Sequence, residues 1–87
     1  MSTDKFIENA RLAICQVVSR KHNEVFEIND IIMVWFAHTL GYKKGIFIDN
    51  GKNNRIYEVT YNRDKNEMYV DEYDKQSNTV FEIGDFV

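Results

Sequence analysis

The chain has 87 residues, 44% of them apolar and 14% aromatic, with one cysteine and a formal charge of −3. That length makes one domain near the lower limit for folding without cross-links, and a lone cysteine excludes an internal disulfide. Twelve Phe, Tyr and Trp residues supply enough large apolar surface for a core, which excludes the disordered class, and the acidic balance disfavours general nucleic-acid binding.

Phe6, Ile7, Ala10, Ala13, Ile14, Val17 and Val18 fall on one helical stripe, with Glu8, Asn9, Gln16, Ser19 and Arg20 off it. The spacing predicts an amphipathic helix over about Asp4 to Lys21. Ser2, Thr3 or Asp4 caps its start, and Arg20 and Lys21 suit the negative end of its dipole. Leu12 lies off the stripe, as an ordinary surface leucine or a contact point for a partner or second copy. After the polar break at Lys21 to Glu24, Val25-Phe26-Glu27-Ile28 reads as a short strand. Ile31 to Ala37 is either a buried helix stopped by Gly41 or a central strand; its β-branched and aromatic content favours the strand.

Lys44 to Asp49 is the next strand, and Asn50-Gly51 begins a turn. In Arg55 to Asn62, the side chains of Tyr57, Val59 and Tyr61 share one face, with Ile56, Glu58 and Thr60 on the other. Arg63-Asp64-Lys65-Asn66 is a hairpin turn into Glu67 to Tyr73. There Met68 and Val70 lie on one face, Tyr69, Asp71 and Tyr73 on the other. A turn at Lys75 to Asn78 leads to a last short strand, Thr79 to Ile83. The segment Val25-Phe26-Glu27-Ile28-Asn29-Asp30 is echoed by Val80-Phe81-Glu82-Ile83-Gly84-Asp85, too briefly for a structural repeat.

The expected fold is therefore α+β: an N-terminal amphipathic helix packed on a four- to five-stranded antiparallel meander sheet. Residues 1–87 form one domain with frayed ends at 1–3 and 84–87. The opening residues lack the pattern of a secretory leader. The longest apolar run, seven residues from Ile31 to Ala37, is far short of the ~20 that span a membrane. The expectation is a cytoplasmic protein with no membrane association.

Catalytic and cofactor chemistry finds little purchase. One cysteine and two histidines do not make a zinc set, and the four glycines are scattered rather than gathered into a phosphate loop. Cys15 with His22 or His38 has no third residue to orient it, and Cys15 falls near the polar side of the helix. Asp71 and Glu72 point to opposite sheet faces, so they do not converge on a cation. The expectation is no enzyme, no cofactor and no metal. Lys43, Lys44, Lys52, Arg55, Arg63 and Lys65, with Tyr42, Tyr57 and Tyr61, follow the basic-plus-aromatic recipe for nucleic acid, but the low isoelectric point opposes it. Charge is uneven: Glu67 to Val87 carries six acids against one base, while the preceding 66 residues are net positive. Such an acidic end either keeps the protein soluble or suits a basic partner.

Asp4 to Ala10, Val34-Trp35, Thr39-Leu40, Tyr57 to Asn62, Lys65, Tyr69-Val70-Asp71, Tyr73 and Lys75 together resemble a family of small uncharacterised proteins from phages and prophages of Gram-positive bacteria. The resemblance spans residues 4 to 75 and carries no functional residues with it. It implies a small accessory gene product, and it tilts Ile31 to Thr39 towards a strand that turns through Gly41 to Gly45 into Lys44 to Asp49. The function expected is non-enzymatic: binding, and inhibition, of a host protein such as a defence nuclease. The contact surface expected is the strand face of Tyr69, Asp71 and Tyr73, with Glu72 and Asp74 beside it. The alternatives are a homodimer enclosing a nucleotide between Lys43, Lys44, Arg55 and tyrosines, or a phage structural or assembly component.

Overall fold

The computed structural model describes residues 1–50, 55–74, 76–77 and 79–86. The helix α1 (Thr3–His22) begins where Ser2 accepts a hydrogen bond from the Lys5 backbone N–H at 3.1 Å. This satisfies one of the donors that every helix start leaves open. Asp4 in the first turn and Arg20, Lys21 and His22 in the last complement the helix dipole, and Asn23 ends the helix in the left-handed region (φ 54°). Phe6, Ala10, Ile14 and Val18, one helical turn apart, are all fully buried. They form the line that meets the sheet.

Four strands follow: β1 (Ile32–Thr39), β2 (Tyr42–Ile48), β3 (Arg55–Asn62) and β4 (Glu67–Asp74), antiparallel and in that spatial order. Their inner face carries Phe47, Tyr57, Val59 and Tyr61 into the core, with Phe36, Met68 and Val70 packed against it. α1 covers this face alone, so the domain has two layers and the outer face of the sheet lies open. The helix crosses obliquely. Phe6 near its start rests against Phe36 of β1 and Phe47 of β2, at ring-centroid distances of 5.6 and 6.4 Å, while Lys21 and His22 at its end reach β4.

Gly45 is what permits that approach. A Cβ there would stand 2.8 Å from the Phe47 ring and 3.2 Å from the Phe6 ring. Between β1 and β2 the chain reverses through Leu40 and Gly41, both with positive φ (51° and 85°). Two such residues make the tight hairpin turn that matches strand twist. The β3–β4 turn is fastened by Asn62, whose side-chain oxygen accepts from the backbone N–H groups of Asp64 and Lys65. Asn66 supplies the left-handed residue (φ 51°) and accepts the Tyr61 hydroxyl.

Helix, meander and strand at Ile32–Thr39 agree with the sequence reading; four boundaries do not. Val25 to Ile28 is no strand. It is an irregular segment that enters a 3-10 turn at Ile28–Asp30, because Glu27 and Asp30 cap one another and favour the turn over a ladder. Tyr42 to Lys44 belong to β2 rather than to a loop, since the two-residue turn leaves no slack for a longer one. The expected fifth strand at Thr79 to Ile83 is absent among the described residues. Ile83–Phe86 instead forms a 3-10 turn. Thr3 is likewise helical, held by the Ser2 cap. The turn expected at Asn50-Gly51 lies partly outside the described residues, as do Lys52 and Lys75.

Candidate binding surface

β3 fixes which side chains reach the open face. Its Tyr57, Val59 and Tyr61 turn inward, so Ile56, Glu58 and Thr60 must turn outward. Register carries this across the sheet. Ile56 stands opposite Tyr73 on β4, Glu58 opposite Asp71, and Thr60 opposite Tyr69. On the other side Glu58 pairs with Ile46, and Ile46 with Trp35. The row Trp35, Ile46, Glu58, Asp71 thus crosses all four strands. Beside it Ile32 stands opposite Ile48. Trp35 is 49% exposed, Ile56 45% and Tyr73 52%.

The result is an open face with an apolar end (Ile32, Ile48, Ile56, Tyr73) and an acidic, aromatic flank (Glu58, Asp71, Tyr69). Glu58 and Asp71 lie directly opposite each other, an arrangement that costs stability in a sheet. Lys44 offsets part of that cost by pairing with Glu58 at 3.3 Å. Tyr69 donates its hydroxyl to Glu67 at 2.9 Å, and that carboxylate pushes its phenol upward. At the polar end Thr39, Tyr42, Lys44 and Thr60 line a shallow groove of about 180 Å³. Tyr42 donates to Asp64 and carries the Arg63 guanidinium 5.3 Å from its ring centre.

Of the residues expected to bind, Tyr69, Asp71 and Tyr73 do share this face, and Asp74 stands exposed at the end of β4. Glu72 does not join them. It points inward, its side chain only 6% exposed, and its carboxylate receives Lys21 Nζ at 2.7 Å and His22 Nε2 at 2.8 Å, with the Arg55 guanidinium at 3.8 Å. Burial alone would raise the Glu72 carboxyl, but the Lys21 and His22 hydrogen bonds and charges outweigh it and hold the group below its ordinary value. Arg55, also buried, donates to Glu24 at 2.9 Å. Burial works against its charge, and Glu24 overcomes it and raises its pKa. The Tyr57 hydroxyl lies in the same charged pocket, without a hydrogen-bond partner among the described residues. Burial drives its phenol well above the usual range; Arg55 opposes the rise, and Glu72 and Asp49 add to it. These groups join the end of α1 to β3 and β4. They are committed to the fold.

The basic cluster read from the sequence is dispersed for the same reason. Arg55 and Lys43 are buried on the inner side, Lys44 and Arg63 are exposed, and Lys52 lies outside the described residues. Cys15, expected near the polar side of α1, is partly buried against the core, and burial raises its thiol. His38, the penultimate residue of β1, is exposed with its ring 3.4 Å from Lys43 Nζ. Among the described residues no three His, Cys, Asp or Glu side chains are grouped to hold a metal ion, and no helix is long and apolar enough to cross a membrane.

Trp35, Ile46, Ile48, Ile56 and Glu58 were not among the residues expected to bind. The period-two alternation of β3 already grouped Ile56 and Glu58 on one face, without saying that it was the open one. Trp35 was hidden, because a β-bulge between Met33 and Trp35 shifts the alternation of β1.

No curated protein and no solved structure matches the chain. A family model matches residues 7–83, nearly the whole length, and the chain therefore belongs to a family of unknown function, DUF6275.

Proposed function

We propose that this protein is a non-enzymatic binding module whose open sheet face docks a protein with a basic and apolar surface. The observation that carries the reading is the open-face row of Trp35, Ile46, Glu58 and Asp71, flanked by the exposed Ile56, Tyr69 and Tyr73. Trp and Tyr are enriched at binding hot spots, where they bury large apolar surface against a partner. Opposed carboxylates at Glu58 and Asp71 are costly in the free protein and are relieved by a cationic partner. The resemblance to phage accessory proteins supplies the setting: the partner is a host protein in the bacterial cytosol, and binding inhibits it.

The test is capture of host proteins from a Gram-positive lysate on the tagged full chain, with Asp71→Lys and Tyr73→Ala variants alongside. A stoichiometric host protein that is retained by the parent and lost at least tenfold by Asp71→Lys is the expected result. Equal retention by both variants sinks this placement of the surface. Glu72 is left unchanged, because reversing a buried charge among Lys21, His22 and Arg55 disturbs the fold before it reports on binding.

A second reading rests on the groove at Tyr42, Lys44 and Thr60, which presents a ring and a cation to a small anionic ligand. Arg55, expected to contribute, is held by Glu24 and Glu72 instead. A nucleotide that raises the melting temperature of the parent but not of Lys44→Glu supports this reading.

A further inference from the structure

We infer that two copies of this chain pair through their β1 edges, antiparallel across a twofold axis, to form one continuous eight-stranded sheet. An open four-stranded meander has two edges, here β1 and β4, and among the described residues no further strand pairs with either. Proteins protect such edges mainly with charge. The two edges differ sharply in this respect. β4 carries four acids, Glu67, Asp71, Glu72 and Asp74, and no base, whereas β1, Ile-Met-Val-Trp-Phe-Ala-His-Thr, carries no Asp, Glu, Lys or Arg.

Three edge pairings are available. β4 against β4 brings eight acids along one ladder, and like charges opposite one another are destabilising. β1 against β4 is head-to-tail, and so cannot close as a twofold dimer. β1 against β1 opposes no like charges and closes as a dimer. It also covers the apolar side chains that cluster on this edge, Ile32 (36% exposed), Val34 (54%) and Trp35 (49%). A bulge is itself a protective device, but the one in β1 sits between Met33 and Trp35, and the run from Trp35 to Thr39 is regular. Pairing centred on Phe36 places Trp35 of each copy beside Ala37 of the other on the open face, large beside small. The bulges then fall at the two ends of the shared ladder. In such a dimer the two open faces join into one surface of doubled area.

A single shared ladder is a small interface, below the ~1,200 Å² of stable complexes, so the dimer forms in the micromolar range. Analytical ultracentrifugation of the full chain from ~1 to ~200 µM tests this. The expected result is a concentration-dependent rise from 10.3 kDa to twice that mass. Val34→Lys, at an exposed position on the edge, weakens association at least tenfold, while Ile56→Lys, on the open face away from β1, leaves it unchanged. Hydrogen exchange of the unaltered chain provides a reading independent of any variant: β1 amides gain protection with concentration and β4 amides do not. A monomer at 200 µM overturns the inference. So does loss of association by Ile56→Lys, which means face-to-face packing, or protection gained at β4 instead of β1.

Discussion

Replacing Glu72 by Gln is expected to damage the fold and spare the open face. Its carboxylate lies 2.7 Å from Lys21, 2.8 Å from His22 and 3.8 Å from Arg55. Lys21 is 61% exposed, so that pair contributes at most ~1 kcal/mol. The buried Arg55 contact matters more, because breaking a buried pair leaves an uncompensated charge at a cost of about 3–5 kcal/mol. Arg55 keeps Glu24 at 2.9 Å, which reduces the expected loss to about 2–3 kcal/mol. For a domain of this size that corresponds to a fall of roughly 10–20 °C in Tm. Urea unfolding at pH 7, followed by circular dichroism, should show a lower midpoint at unchanged slope.

The sign of the pH dependence follows from the depressed pKa of Glu72. A carboxyl held below its unfolded value contributes stability that is present above the unfolded value and lost as pH falls through the folded one. The gap between parent and variant should therefore close in acid, below the ordinary carboxylate range. A loss under ~0.5 kcal/mol at pH 7, where ordinary surface substitutions lie, would refute the reasoning. A gap that persists undiminished in acid would do the same, because the ionised carboxylate would not be its source.

Other substitutions probe other parts of the structure. Asp71→Asn removes the like charge opposite Glu58 and should stabilise the free protein by about 0.2–1 kcal/mol, read from the urea midpoint; a loss of stability contradicts the opposition. Leu40→Asn should raise stability by about 0.5–1 kcal/mol, because an exposed leucine holds a left-handed turn position that asparagine occupies at lower cost. Gly45→Ala should destabilise by about 1–3 kcal/mol, since its methyl meets the Phe47 and Phe6 rings. Cys15 should react slowly with a disulfide reagent at pH 7 and much faster in urea, because burial chiefly, with Asp30 nearby, raises its thiol.

The open face was half legible in the sequence. Tyr69, Asp71 and Tyr73 share it because a strand alternates with period two, and the same rule put Met68 and Val70 on the opposite side. By that rule Glu72 also belonged inside, among apolar neighbours. What made an inward carboxylate tenable was invisible: Lys21 and His22 arrive from the end of a helix fifty residues away in sequence. The echo of Val25 to Asp30 in Val80 to Asp85 misled in a related way. Both stretches alternate like strands, yet both end in 3-10 turns among the described residues, because short-range capping and turn preferences win where no neighbouring strand offers a ladder.

By itself the sequence determined the helix, its apolar stripe through Phe6, Ala10, Ile14 and Val18, and the grouping of Tyr57, Val59 and Tyr61 on one strand face. These depend on periodicity and on caps a few residues away. Tertiary structure decided the rest. The crossing of α1 over Gly45, the burial of Arg55 with Glu72, the bulge that turns Trp35 outward and the opposition of Glu58 to Asp71 all arise from contacts between distant segments, and no local pattern encodes which strands become neighbours.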